Sequence, residues 1–334
     1  MQRFTRGRRL LGLVAVALTL ALVGSTAAQA ANPFPRAIKF GQLGQDNSFP
    51  AALATSLLNP AKNPAGANDW SCTPTAKHPY PVVLVHGSVE NAYNNWNGLS
   101  PIIKDQGYCV FALNYGNTGI PGVNATADLV QSAGEIGPFV DQVLAATGAT
   151  QVDLIGHSQG GAQIRYYTNL LGGAPKVNQV IGIASSNHPT TLSGITELGR
   201  MFGLLQPALA GLEFAGFPSL SQQADRSPDP QAPFYQNLNG AGETIPGERY
   251  ITIATRNDEI VTPYQQAFLT AGPGATVENI TIQDVCAIDQ SEHLSLPYSK
   301  NVAQIVLNKL DPNDVRPILC YAQAPVFGNT QLFG

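Results

Sequence analysis

Charge, sulfur and long apolar runs are all scarce in this chain. Only 12% of its 334 residues are Asp, Glu, Lys or Arg, and the net charge is −4. That balance leaves no basic field for a nucleic-acid backbone and no acidic tail, so nucleic acid is not an expected partner. There are four cysteines, none in a C-x-x-C pair or a Cys/His cluster, which removes the usual zinc patterns. No internal repeat and no long low-complexity linker divides the sequence. One uncharged apolar run stands out, Leu10 to Val23, and it falls short of the roughly 20 apolar residues that span a bilayer.

That run follows Arg3, Arg6, Arg8 and Arg9 and is followed by Ala28-Gln29-Ala30. Basic residues, a short apolar stretch and a small-residue cleavage site together read as an export signal, cut near Ala30. Residues 31–334 are then expected to form a single α/β domain, secreted to the medium or the cell envelope and monomeric. Export suits the cysteines, because oxidising compartments preserve disulfides. Two bridges are expected. Of the three connectivities, the neighbour pairings Cys72 with Cys109 and Cys286 with Cys320 are favoured.

Short apolar runs bounded by turn formers predict buried strands at 81–85, 109–113 and 151–155, with further strands at 177–184, 249–255 and 276–286. Helical spacing over 125–146, and again over 162–171, separates them. Such alternation implies a mostly parallel sheet covered on both faces. Between 189 and 245 the chain is irregular and rich in Gly, Pro, Gln and Phe, as an insertion over one edge of the sheet would be. Within it Leu198, Phe202, Leu205, Leu209 and Leu212 line one helical face, which Pro207 is expected to break in two. That face serves either as core packing or as an apolar cap beside a binding pocket.

The residues with the clearest chemistry are Gly156-His157-Ser158-Gln159-Gly160, set between the third strand and a helix. This G-x-S-x-G pattern is a nucleophile elbow: a sharp turn lifts the serine hydroxyl clear of the sheet, and Gly156 and Gly160 remove side chains that would collide there. Ser158 is the expected nucleophile. It needs a base and an orienting carboxylate, expected in the chain order Ser, acid, His. His188 comes too early, which leaves His293 in a polar loop after the last strand. The acid belongs in the loop after a late strand, where Asp258 is chosen over its neighbour Glu259. Asp284 and Asp289 are lesser candidates for the acid and read rather as solvated loop residues. Oxyanion donors are expected from the backbone N–H of Gln159 and from Ser88, by its N–H with or without its hydroxyl, in the turn His86-Gly87-Ser88. His86 is expected to shape that turn.

Three segments carry a family resemblance: Tyr80-Pro81-Val82-Val83-Leu84-Val85-His86-Gly87, Leu144-Ala145-Ala146-Thr147-Gly148-Ala149-Thr150, and Gly156 to Gly161. Together they resemble secreted bacterial triacylglycerol lipases of the α/β-hydrolase fold. The run Ala254 to Pro263, Asp284-Val285-Cys286 and His293 are similar to the acid and histidine segments of Candida antarctica lipase B. The resemblance covers about residues 65–310 and implies an α/β-hydrolase fold, an acylglycerol or other ester substrate, contact with a lipid–water interface, and the same assignments of Ser158, Asp258, His293, Ser88 and Gln159. Bacterial relatives can hold a structural calcium, but no carboxylate cluster here marks one, so neither metal nor cofactor is expected. On the same machinery an esterase, a polyester hydrolase or an acyltransferase is the alternative. A catalytically silent binding protein on this fold is a remote one.

Overall fold

The computed structural model describes residues 46–329; the export signal expected over 1–30 lies outside the described residues. Six strands form the central sheet: β1 (Val82–Val85), β2 (Val110–Leu113), β3 (Val152–His157), β4 (Val177–Ile183), β5 (Arg249–Ala254) and β6 (Thr276–Thr281). Their order is β2-β1-β3-β4-β5-β6 and every pairing is parallel. The apolar runs bury both faces at once, and alternation decides which face each residue serves. Val82, Leu84, Val110, Ala112 and Ile155 join one core with Ile103, Val302 and Val306. Val83, Val85, Phe111, Leu113 and Leu154 join the other, with Ile136, Val140, Val143 and Ile164. The helices Leu99–Asp105 and Lys300–Leu310 therefore cover one face, and Ile136–Thr147 and Gln159–Leu170 the other. Each fully buried Val or Ile contributes at most about 1.5–3 kcal/mol by transfer from water, since the unfolded chain already buries part of that surface.

Three expectations are corrected. The helix expected over 125–146 is two, Leu129–Ala133 and Ile136–Thr147. Asp128 caps the first by accepting from the N–H groups of Val130 and Gln131, at 2.9 Å each, so helix cannot begin before it. The strand expected over 276–286 ends at Thr281 and gives way to a short helix, Ile282–Val285. There the Gln283 side chain accepts from Arg256 N–H at 2.9 Å and donates to Thr255 Oγ1 at 2.8 Å, turning the chain toward the end of β5. Between β4 and β5 the apolar helical stretch does break in two, Ile195–Met201 and Leu205–Phe214, but at Gly203 rather than Pro207. Gly203 holds φ +68°, which ends a helix at little cost. Pro207 falls in the first turn of the second helix, where an N–H has no intrahelical acceptor to lose. The helices Pro218–Gln223 and Pro233–Gly240 complete this insertion.

Cys72 pairs with Cys109 and Cys286 with Cys320, across separations of 37 and 34 residues. The first ties the segment before β1 to the start of β2, and the second ties the chain after β6 to the C-terminal segment. In the chain-entropy account a loop of this size contributes about 3–4 kcal/mol by restricting the unfolded chain. Replacing both cysteines of either pair by serine is expected to lower unfolding free energy by about that amount. Equilibrium denaturation of the oxidised protein measures it, and a loss under about 1 kcal/mol would contradict it.

Candidate active site

β3 runs directly into Ser158, which sits at φ 53° and ψ −125°, and the helix Gln159–Leu170 begins at the next residue. A non-glycine residue at positive φ stores strain, and the surroundings hold it there. A Cβ on Gly156 would lie 2.5 Å from the Gly160 carbonyl carbon, and one on Gly160 would lie 2.1 Å from the Val85 carbonyl oxygen. Only glycines let the helix approach β1 and β3 this closely. The Ser158 N–H donates to Ile183 O at 2.9 Å, and its carbonyl accepts from Gly161 and Ser186 at 3.0 and 3.1 Å.

The structure brings Ser158, His293 and Asp258 together, although 135 residues separate the first two. Ser158 Oγ lies 2.8 Å from His293 Nε2, and His293 Nδ1 lies 3.0 Å from each oxygen of Asp258. With Nδ1–H donating to the carboxylate, Nε2 is left as an acceptor for the serine proton. Asp258, in the loop after β5, is itself held by the N–H groups of Ile260 and Val261, at 3.0 and 2.7 Å. His293 is only 2% exposed. Burial opposes its charged form, but the Asp258 carboxylate, by charge and by hydrogen bond, outweighs that penalty and raises its pKa above the ordinary 6.5.

The other candidate acids go elsewhere. Glu259 accepts from the His293 backbone N–H at 3.3 Å, so it meets the main chain and not the ring; partial desolvation of its carboxylate and the nearby Glu292 carboxylate push its pKa up. Asp284 pairs with Arg256 on the surface. Asp289, expected to be solvated, is fully buried: it accepts from Ser299 Oγ at 2.6 Å, Asn301 Nδ2 at 2.8 Å and Ser291 N–H at 2.8 Å, fastening the histidine loop to the last helix. His188 spans Gln266 O and Glu243, each at 2.9 Å, and makes no contact with Ser158.

Ser88 follows β1 and meets the start of the helix after Ser158, its Oγ donating to Gln159 Oε1 at 2.7 Å. As the first helical residue, Gln159 has a backbone N–H with no partner inside its helix, free for an incoming oxygen. His86 is fully buried, with Nδ1 2.8 Å from Gly87 O, and burial pushes its pKa down to about 4. It is neutral, and it shapes the turn.

Several residues at the site were not singled out in the sequence. His157 Nε2 lies 3.0 Å from the His293 carbonyl oxygen, while its Nδ1 meets Asn95 Nδ2 at 2.9 Å and Glu90 Oε2 at 3.3 Å. The loop carrying the histidine is thereby pinned to β3. An imidazole at the buried end of β3, directly before the serine, was the available signal. Glu90, Asn95 and Gln223 gave none, because their contacts cross long stretches of chain.

Ser158, Ser88 and His293 open onto a cavity of about 640 Å³, lined chiefly by apolar side chains of the insertion such as Leu198, Phe202, Leu205 and Leu209. Outward, the same helices leave Met201 76% and Phe214 96% exposed. Among the described residues no group of three or more His, Cys, Asp or Glu is placed to hold a metal ion.

A parallel sheet whose central strand turns through a strained serine into a helix is the α/β-hydrolase fold. Aspergillus fumigatus lipase B shares it, with a TM-score of 0.55 at 18% identity over 88% of this chain and 63% of that one. Within that fold the chain belongs to the Lipase (class 2) family, whose profile matches residues 79–305. Similar curated proteins include the triacylglycerol lipase of Burkholderia plantarii, 37% identical over 124 residues, and that of Pseudarthrobacter phenanthrenivorans, 40% identical over 93 residues. The first match covers 35% of this chain and 32% of the relative, the second 26% and 27%, so this chain matches about a third or less of each relative's length.

Proposed function

We propose that this protein hydrolyses carboxylic esters, acylglycerols foremost, through an acyl-enzyme on Ser158. The observation that carries the proposal is the unbroken contact from Asp258 through His293 to Ser158 Oγ at the mouth of an apolar cavity. His293 Nε2 takes the serine proton as Oγ attacks the ester carbonyl carbon. The tetrahedral oxyanion is met by the backbone N–H groups of Ser88 and Gln159, and Asp258 stabilises the imidazolium that forms. Collapse returns the proton from Nε2 to the leaving alcohol and breaks its bond to the acyl carbon. Water, deprotonated by the same imidazole, then attacks the acyl-enzyme, releasing fatty acid and restoring Ser158. No cofactor enters this cycle.

Residues 189–245 act in this reading as a cap whose inner side holds the acyl chain and whose outer apolar side meets lipid. Secretion as a monomer completes the proposal, with an export signal removed near Ala30. Two disulfides are consistent with it, and no helix among the described residues is long and apolar enough to cross a membrane.

The substrate class is tested with p-nitrophenyl esters of increasing acyl length beside monomeric and emulsified triglyceride. Activity is expected on long acyl chains and on the emulsion; a sharp preference for short soluble esters would move the assignment to an esterase. Added alcohol diverts the acyl-enzyme, and the ratio of free acid to transferred ester separates hydrolysis from acyl transfer.

The acid limb of kcat/KM follows from His293. The base must be neutral to accept the proton, and its folded pKa is raised, so activity falls as pH drops through a value above the usual 6.5. A rate unchanged down to about pH 4 would contradict the assignment of the base.

A further inference from the structure

We propose that Gln223, delivered by the helix Pro218–Gln223 of the insertion, is a positioning residue of the oxyanion site, which is complete only while that helix stays seated. The inference rests on the serine-hydrolase reading above and deepens it.

Gln223 is 7% exposed, and its carboxamide lies between the two chain segments that carry the oxyanion donors. Its Nε2 shares two protons among three acceptors, Ser88 Oγ at 2.9 Å, Gln159 Oε1 at 3.0 Å and, one turn back in its own helix, Ser219 O at 3.2 Å. Ser88 Oγ donates in turn to Gln159 Oε1 at 2.7 Å, which closes a ring of three side chains. The far end of the amide is fixed as well. Gln223 Oε1 accepts from Ser186 Oγ at 2.9 Å, and the Ser186 N–H bonds the Ser158 carbonyl at 3.1 Å. The amide is thus oriented by the serine turn and in turn holds Ser88 against Gln159.

This matters because two N–H groups must converge within about 2.7–3.1 Å of one developing oxyanion. Ser88 and Gln159 lie on separate segments, after β1 and after β3, and their side chains meet across 71 residues of sequence. Hydrogen counting sharpens the role. The Ser88 hydroxyl has one proton, directed at Gln159 Oε1, while it accepts from Gln223. Oxyanion donation in this arrangement therefore falls to the backbone N–H groups, and their spacing depends on the ring.

The ring also reports where the insertion sits. The Gln223 carbonyl accepts from Thr190 N–H at 2.9 Å, and Asp225 N–H donates to the Thr190 carbonyl at 2.8 Å, clipping the end of this helix to the start of the insertion. Thr190 Oγ1 in turn bonds the Ile260 carbonyl in the Asp258 loop. Lifting the helix Pro218–Gln223 withdraws the amide from the oxyanion segments, so displacement of the cap and loss of transition-state binding occur together.

Gln223→Met fills similar space without donors. On a soluble p-nitrophenyl ester its kcat is expected to fall about ten-fold, less than the loss of a direct oxyanion donor, with KM within about two-fold and the thermal midpoint retained. A trifluoromethyl ketone, whose hemiketal oxygen occupies the oxyanion site, is expected to lose affinity by the same factor of about ten, while a long-chain alcohol in the same cavity binds unchanged. A purely structural role would move both ligands or the midpoint. In a Ser88→Ala background the effect of Gln223→Met shrinks to under about three-fold, because both act through one ring. Should Gln223→Met fail to fold, Ser186→Ala frees only the amide oxygen and is expected to lower kcat and ketone affinity about three-fold together. Wild-type-like kcat and ketone affinity in Gln223→Met, or in Ser186→Ala in its place, overturn the proposal. Wild-type protein inert to every ester and to a fluorophosphonate would overturn the underlying reading instead.

Discussion

Ser158→Ala is expected to lower kcat by about 10⁶-fold while the fold persists, because it removes the one oxygen that bonds the acyl carbon. The magnitude follows from how the group works. Serine and histidine act as a unit, so deleting either leaves only what the oxyanion donors and the cavity supply, a residual of about 10³–10⁴ over water. His293→Ala should fall to the same level, and the double variant no further. That non-additivity is the informative part, since two independent contributions would multiply. Initial rates on a soluble ester, with circular dichroism to verify folding, measure it; a loss under about 100-fold in Ser158→Ala would contradict the assignment.

Asp258→Asn has the next largest expected effect, a fall in kcat of about 10⁴-fold with little change in structure. Both oxygens of Asp258 lie 3.0 Å from His293 Nδ1, and two backbone N–H groups hold Oδ1 in place. An amide there can turn its NH₂ toward the ring, which makes Nδ1 an acceptor and puts the proton on Nε2, the wrong nitrogen for receiving one from Ser158. Losing the carboxylate also removes the influence that raises the His293 pKa, so the remaining acid limb should move to lower pH. Glu259→Gln is the control. Its carboxylate meets the His293 main chain and not the ring, so its expected effect is under about three-fold. Equal losses in the two variants would show that the ring does not depend on Asp258.

What could be read in advance follows the range of the interactions. The inner strands were legible because burial on both faces writes unbroken apolar runs, and the elbow because its glycine spacing is itself a local pattern, although the β1 backbone that Gly160 makes room for lies far away in sequence. That only one of Asp258 and Glu259 could face the ring was legible too, since neighbours on a chain point apart. The helix break at Gly203 was misplaced at Pro207 because a proline's effect depends on where the helix begins, which is decided by neighbouring segments. Asp289 read as solvated for a similar reason: its partners, Ser299 and Asn301, are the cap and the first turn of the following helix, and only packing shows that they close over it. Gln223 lies 135 residues from Ser88 and 64 from Gln159, inside a segment with no motif, so nothing local marked it.

The central claim is that Ser158 is a nucleophile activated by His293, and covalent labelling by a fluorophosphonate tests it most directly. The phosphorus should bond Ser158 Oγ with loss of fluoride, giving one label per chain on the peptide that contains residue 158, faster above the His293 pKa than below it. Folded protein that takes no label, or takes it on another residue with Ser158 unmodified, would contradict the account.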